Sequence, residues 1–265
     1  MIIFERLGGW GLGNSLFQIA TTMSIAIDNN TDYYFPDSCW FKKSRYDENS
    51  FFKNELPWIN FEKIKNFNRW GIGDIRYVKP PMFKETTVID GFFQSEKFFK
   101  HNREKIVEFF EIKDVFKEKI KNKYKDILNE NSCSLHVRRG DYINAKEMKV
   151  LDLDYYKNAV EKFDEKTLFV VFSDDINWCR ENLNFIKNKF FIEEKNDILE
   201  IYLMSLFKKN IIANSTFSWW GAWLGKNNEV IMPNPNNNWF SCFFYKQNIN
   251  QSNYDDLICE NWKVI

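Results

Sequence analysis

Three short stretches of this chain combine cations, hydroxyls and glycines in patterns suited to holding an anion. His136-Val137-Arg138-Arg139-Gly140-Asp141 follows an apolar run. On an extended strand the period of two sets His136 and Arg138 on one side and Arg139 on the other, so one face would offer two cations. A guanidinium grips phosphate through two parallel hydrogen bonds, and a departing diphosphate needs such charge compensation where no metal supplies it. Asn214-Ser215-Thr216-Phe217-Ser218 brings hydroxyls and backbone N–H groups to a helix start, a natural second clamp for the same phosphates. Gly9, Gly11 and Gly13 relax the backbone between a strand and a helix that Asn14 can cap, turning the helix's positive end toward an anion or polar ligand. This spacing departs from the dinucleotide fingerprint and lacks a P-loop lysine, so a plain turn reads equally well.

The carboxylates near these clusters each have two readings. Asp174 can accept from the N1 and N2 hydrogens of guanine, whereas Asp175 better suits the cap of the next helix. Asp141 stands close enough to Arg139 to be held in an ion pair. Asp152-Leu153-Asp154 has the D-x-D pattern that can hold a divalent ion, but it opens a helix, where Asp is a frequent cap. Only His136 of the two histidines lies in a cluster, so no metal site is expected.

Strands ending at these clusters, followed by helices, are what would position them. Apolar runs alternate with amphipathic stretches throughout, the pattern of an α/β chain with mainly parallel strands. Strands are expected over 1–7, 88–94, 134–137, 167–172, 190–192, 211–213 and 230–232. Helices are expected over 14–28, 96–110, 114–129, 154–163, 197–207 and 219–224, with one more from Asp175 to Leu183. In the first helix Leu16, Ile19, Ala20, Met23 and Ile27 recur at three and four. Residues 36–82, with Pro36, Pro57, Pro80 and Pro81, show no clean period. The composition changes over 111–131, which sets the expected division at residue 120.

Bulk properties exclude several classes. Lys plus Arg equals Asp plus Glu at 37 each, which removes the broad positive field a nucleic-acid binder needs. The five cysteines, Cys39, Cys133, Cys179, Cys242 and Cys259, show no C-x-x-C spacing; reduced thiols in the cytoplasm fit this better than a disulfide framework. The most apolar region, 198–224, is cut by Lys208-Lys209-Asn210, so no membrane span of about 18 apolar residues is expected. Aromatic residues make up 18% of the chain. Most of the phenylalanines are expected in the core, although aromatic faces also stack on sugars and purines.

Taken together and in order, the clusters resemble the bacterial α-1,2-fucosyltransferases of glycosyltransferase family 11. Gly11-Leu12-Gly13-Asn14-Ser15-Leu16-Phe17-Gln18 is similar to the family's first signature, with Ser15 where glutamine is usual. Gly91-Phe92-Phe93-Gln94-Ser95-Glu96, His136 to Tyr142, and Phe172-Ser173-Asp174-Asp175 resemble its next segments. Asn214-Ser215-Thr216-Phe217-Ser218-Trp219-Trp220-Gly221-Ala222-Trp223 resembles its most specific block. The resemblance implies two Rossmann-like domains facing a cleft, a GT-B type α/β fold. Residues 1–120 would form the acceptor side and 121–265 would hold GDP-fucose, without a metal or other cofactor. Carried over, Arg138 binds the β-phosphate, His136 the nucleoside end, Asn214, Ser215, Thr216, Phe217 and Ser218 the phosphates, and Glu200 the guanine. Arg139, Asp174, Gly11, Gly13 and Asn14 complete the implied donor contacts.

The implied reaction is inverting transfer of L-fucose from GDP-β-L-fucose to the 2-hydroxyl of a terminal galactose on a surface glycan or oligosaccharide. Charge growing on the departing GDP would be met by Arg138 and the helix start at Ser215, while a base on the opposite face takes the acceptor's proton. Asp141 is the base this reading selects, with Glu96 and Glu147 in reserve. The alternatives are another fucosyltransferase, α-1,6 or protein O-fucosyl, and a non-catalytic lectin-like binder, which would need no phosphate clamp. A lipid-linked galactoside acceptor would bring peripheral contact with the inner membrane.

Overall fold

The computed structural model describes residues 1–43, 51–73, 76–128, 131–146, 148–226, 229–238 and 254–265. The chain forms two compact units, Met1–Asp114 and Val115–Ile265. The division falls after Asp114, at the first residue of the Lys-rich helix, rather than at residue 120, so Ile120, Tyr124 and Ile127 are buried residues of the second unit.

In the first unit β1 (Ile2–Phe4) leads into α1 (Leu12–Asp28), followed by β2 (Tyr33–Pro36), β3 (Trp58–Ile59), β4 (Asn68–Gly71) and β5 (Thr87–Asp90). The described strands of its sheet pair in parallel, in the order β3-β2-β1-β5-β4. Central strands covered on both faces read as unbroken apolar runs, and Ile2, Ile3, Phe4, Val88 and Ile89 are all buried. α1 is buried nearly all round rather than along one stripe, and Met23 and Ile27 are its partly exposed positions. The helix expected over 96–110 is broken into 3-10 turns at Glu96–Phe98 and Lys100–Asn102 before α2 (Arg103–Phe109). Residues 36–82 are not without structure: they hold β3 and β4, strands too short for alternation to show.

The second unit opens with α3 (Asp114–Lys123) and α4 (Lys125–Leu128). It continues through β6 (Ser132–Val137), α5 (Leu153–Val160), β7 (Leu168–Ser173), α6 (Ile176–Asn182), β8 (Lys189–Phe191) and α7 (Asp197–Ser205). β9 (Lys209–Ile211), α8 (Thr216–Leu224), β10 (Glu229–Met232) and β11 (Lys263–Val264) complete it. Its six strands among the described residues are all parallel, in the order β11-β10-β9-β6-β7-β8. Counted from β6, that is the doubly wound order 3-2-1-4-5-6, in which ligands bind beyond the carboxyl ends of the strands where the winding reverses. The reversal here lies between β6 and β9. One face of the sheet is sealed by Val137, Leu135 and Cys133 with Tyr156, Ala159 and Cys179.

Candidate active site

The motifs that follow β6 and β9 meet at this reversal. Tyr142, in the 3-10 turn Asp141–Ile143 after β6, donates its hydroxyl to the carbonyl of Asn214 after β9 at 3.1 Å. Burial pushes the Tyr142 phenol up to about 12, so it stays protonated as that donor. His136 and Phe217 bring the same two loops together, with ring centroids 5.5 Å apart. Tyr142 directly follows Asp141 in the sequence motif, and that adjacency is the only sequence signal of its role; the hydrogen bond to Asn214 arises from the fold.

His136 is not a cation. It is buried at the end of β6, and desolvation together with the Arg138 charge lowers its pKa to about 3. Its Nδ1 is buried without a hydrogen-bond partner. The expectation of two cations on one strand face is therefore corrected: His136 offers a neutral imidazole, and Arg138 lies past the last residue of β6.

Arg138 lies between two carboxylates. Its Nη2 donates to Asp141 Oδ1 at 2.7 Å, and its Nη1 is 2.9 Å from Asp174 Oδ2. Its Nε is buried and without a partner, and the guanidinium lies 5.2 Å from the Tyr142 ring centroid. Arg139 points elsewhere: Nε donates to Asp175 Oδ2 at 3.2 Å, and its guanidinium stacks 3.9 Å from the Trp178 ring centroid. The anticipated Arg139–Asp141 pair is thus replaced by Arg138–Asp141 and Arg139–Asp175. Asp175 also caps α6 as expected, accepting from the Trp178 N–H at 3.2 Å. Asp174 has both oxygens engaged within the protein, since its Oδ1 also accepts from the Arg139 N–H at 2.9 Å.

At the start of α8, Ser215 is the N-cap and receives no side-chain capping bond, while Thr216 and Phe217 are partly exposed. The positive end of this helix faces the carboxyl end of β9 with no acid in its first turn. Ser218 does not offer its hydroxyl to a ligand. It is wholly buried, accepts from the Ala213 N–H at 3.2 Å and donates to the Ser215 carbonyl at 3.3 Å. Asn214 is buried too, its amide donating to the Lys149 carbonyl at 2.7 Å. Glu200, in the first turn of α7, is raised to about 8 by burial and by the charges of Asp197, Glu194 and Asp174.

The D-x-D residues have structural duties: Asp152 caps α5, accepting from the Tyr155 N–H at 3.0 Å, and Asp154 pairs with Lys157 at 2.9 Å. Glu147 and Cys242 lie outside the described residues.

In the first unit, Gly11 rather than Asn14 is the N-cap of α1, at φ 87°. Asn14 is the third residue of the helix, past the position from which a side chain caps it. Its Nδ2 donates to the Trp10 carbonyl at 2.7 Å and its Oδ1 accepts from Gln94 Nε2 at 2.6 Å. Gly13 is buried beside it in the first turn. Glu96, the reserve base, is buried in the turn that Ser95 caps, with Lys100 Nζ at 3.8 Å.

Residues 38–257 match the family model described as glycosyl transferase family 11. The chain belongs to that family. An α-1,2-colitosyltransferase from Escherichia coli is 32% identical over 90% of this chain and 92% of its own length. A galactoside α-(1,2)-fucosyltransferase 2 from Oryctolagus cuniculus is 25% identical over 84% of this chain and 67% of that protein. Among solved structures, the α-1,6-fucosyltransferase NodZ soaked with GDP-fucose superposes with a TM-score of 0.54 at 13% identity, covering 84% of this chain and 92% of that one. At that identity the likeness concerns the fold, which is of the GT-B type with a parallel sheet in each unit. This family member is accordingly a glycosyltransferase. Among the described residues, no helix is long and apolar enough to cross a membrane.

Proposed function

We infer that this enzyme transfers L-fucose from GDP-β-L-fucose, with inversion, to the 2-hydroxyl of a terminal galactose on a surface glycan or oligosaccharide. The observation that carries this reading is the meeting of Arg138 and the α8 helix start at one sheet reversal, joined through Tyr142 and Asn214. A diphosphate there would be met by a guanidinium and by uncapped helix N–H groups, the two kinds of donor that stabilise charge on a departing nucleotide. Arg138 is the residue assigned to the phosphate, and Ser215 and Thr216 assist it. Asp141, two-thirds exposed at 67%, is free enough to exchange its partner and take the acceptor's proton as general base. No metal enters the scheme, because Asp152 and Asp154 have structural roles and Arg138 supplies the charge compensation. The second unit would hold the donor and the first would lie on the acceptor side.

A second reading is favoured by one relative: a colitosyl group replaces fucosyl in the donor, as in the name of the Escherichia coli protein that matches over 90% of this chain. The deciding experiment incubates the enzyme with lactose and either GDP-fucose or GDP-colitose, with and without excess EDTA, and determines the product linkage by NMR. An α-1,2-fucosyl product formed equally in EDTA is the expected result. A product formed only from GDP-colitose, another linkage, or activity restored by Mn²⁺ or Mg²⁺ would each replace the corresponding part of the reading.

A further inference from the structure

Asp174 stands at the carboxyl end of β7, one residue past the strand, and its carboxylate reaches across to the loop that follows β6. The parallel register sets Val137 opposite Ser173, so the two strand ends leave the sheet side by side. Oδ1 accepts from the Arg139 N–H and Oδ2 pairs with Arg138 Nη1, each at 2.9 Å. The chain beside it has no side chain at Gly140, and a Cβ there would lie 2.4 Å from Asp174 Oδ2 and 3.0 Å from its Cγ. The obstacle is the carboxylate itself, so any larger residue at 140 would push it off Arg138 or off the Arg139 N–H.

The two carboxylates on Arg138 are unequal. Asp141 is 67% exposed and Asp174 only 26%, and exposed ion pairs exchange partners at little cost. An incoming phosphate oxygen can therefore replace Asp141 on Nη2 while Asp174 keeps Nη1. We propose that Asp174 is a positioning residue that anchors Arg138 for the donor diphosphate, with Gly140 as the required gap, rather than a contact to guanine. The proposal rests on the reading of Arg138 as the phosphate ligand.

The test is a double-mutant cycle on GDP affinity, measured by calorimetry with the full chain, alongside transfer kinetics. Asp174→Asn keeps an acceptor for the Arg139 N–H but removes the charge opposite Arg138, and should weaken GDP by about tenfold. In the Arg138→Ala background the same change should cost less than about threefold, because its target is gone. Gly140→Ala, which removes no charge, should reproduce the loss and the same dependence on Arg138; it also serves if Asp174→Asn fails to fold. The preference for GDP over inosine diphosphate, which lacks the guanine 2-amino group, should be unchanged in both variants. Equal losses with and without Arg138, or a collapse of that preference, would overturn the anchor role and return Asp174 to the base. If the wild-type chain binds GDP but fucosylates no galactoside, the proposed reaction fails while the cycle still decides the role of Asp174. If it does not bind GDP, both fall.

Discussion

Arg138 holds one carboxylate on each terminal nitrogen, and replacing it with lysine separates charge from geometry. A single ammonium cannot keep two parallel bonds, whether to carboxylates or to a phosphate. Arg138→Lys should lower kcat/KM by about ten- to a thousand-fold, since each charge-assisted bond contributes roughly 1.5–3 kcal/mol and about 1.4 kcal/mol is tenfold in rate. A folded Arg138→Lys enzyme that keeps half of wild-type kcat/KM would transfer the clamp to Arg139. Asp141→Asn should abolish transfer while leaving GDP affinity within about threefold and stability within roughly 0.5 kcal/mol, because an exposed pair contributes little to folding. A large fall in Tm, seen by thermal unfolding, would instead make Asp141 a scaffold residue. The residues of this site were legible because each motif puts its chemistry in consecutive positions. Their partners were not: Asp141 was read against its neighbour Arg139, yet the side chains leave the strand end in different directions and Arg138 takes the carboxylate.

Helix α8 carries the second half of the site, and its depth depends on Gly221. A Cβ at that position would stand 2.8 Å from Met204 Cβ and 2.9 Å from its Sδ, on the facing helix α7. The overlap involves a β-carbon fixed to the α7 backbone, so it cannot be relieved by a rotamer change alone. Gly221→Ala should therefore destabilise by up to about 2 kcal/mol, an overpacking cost of about 1–3 less roughly 1 of propensity gained by removing a helical glycine. For a chain of this size the upper end is a Tm lower by roughly 4–8 °C, and GDP should bind less tightly as the helix start shifts. A Gly221→Ala chain with a raised Tm would mean that the two helices separate freely, leaving only the propensity gain. The start of α8 is three residues earlier than the sequence pattern of Trp219, Trp220 and Trp223 indicated, because the cap at Ser215 makes no side-chain bond that would mark it. The tryptophans are core: Trp219 and Trp220 are wholly buried, and Trp219 Nε1 donates to the Leu257 carbonyl at 2.9 Å.

At the scale of the whole molecule, a buried histidine and a partly buried glutamate tie stability to pH in opposite directions. His136 falls from its ordinary 6.5 to about 3 on folding, so the folded chain binds fewer protons. Its contribution is present above pH 6.5 and is lost as pH falls toward 3. Glu200 rises from 4.5 to about 8, so the folded chain binds more protons there; its contribution is present below pH 4.5 and is lost as pH rises through 8. Between pH 5 and 9, Glu200→Gln should flatten the alkaline decline in Tm, and thermal unfolding across that range checks it; an unchanged slope would mean that Glu200 is ionised at neutral pH. By itself the sequence determined the α/β class, the family and the loops that carry polar chemistry, since alternation and contiguous motifs are local properties of a chain. It did not show β2, β3, β4 or β11, whose two to four residues are too short to display a period. The tertiary structure alone decided that His136 is neutral, that Ser218 faces inward and that Asp174 joins Arg138 to the Arg139 N–H. Those outcomes depend on burial and on which strand ends lie side by side, and the register of β6 against β7 brings together residues 35 positions apart.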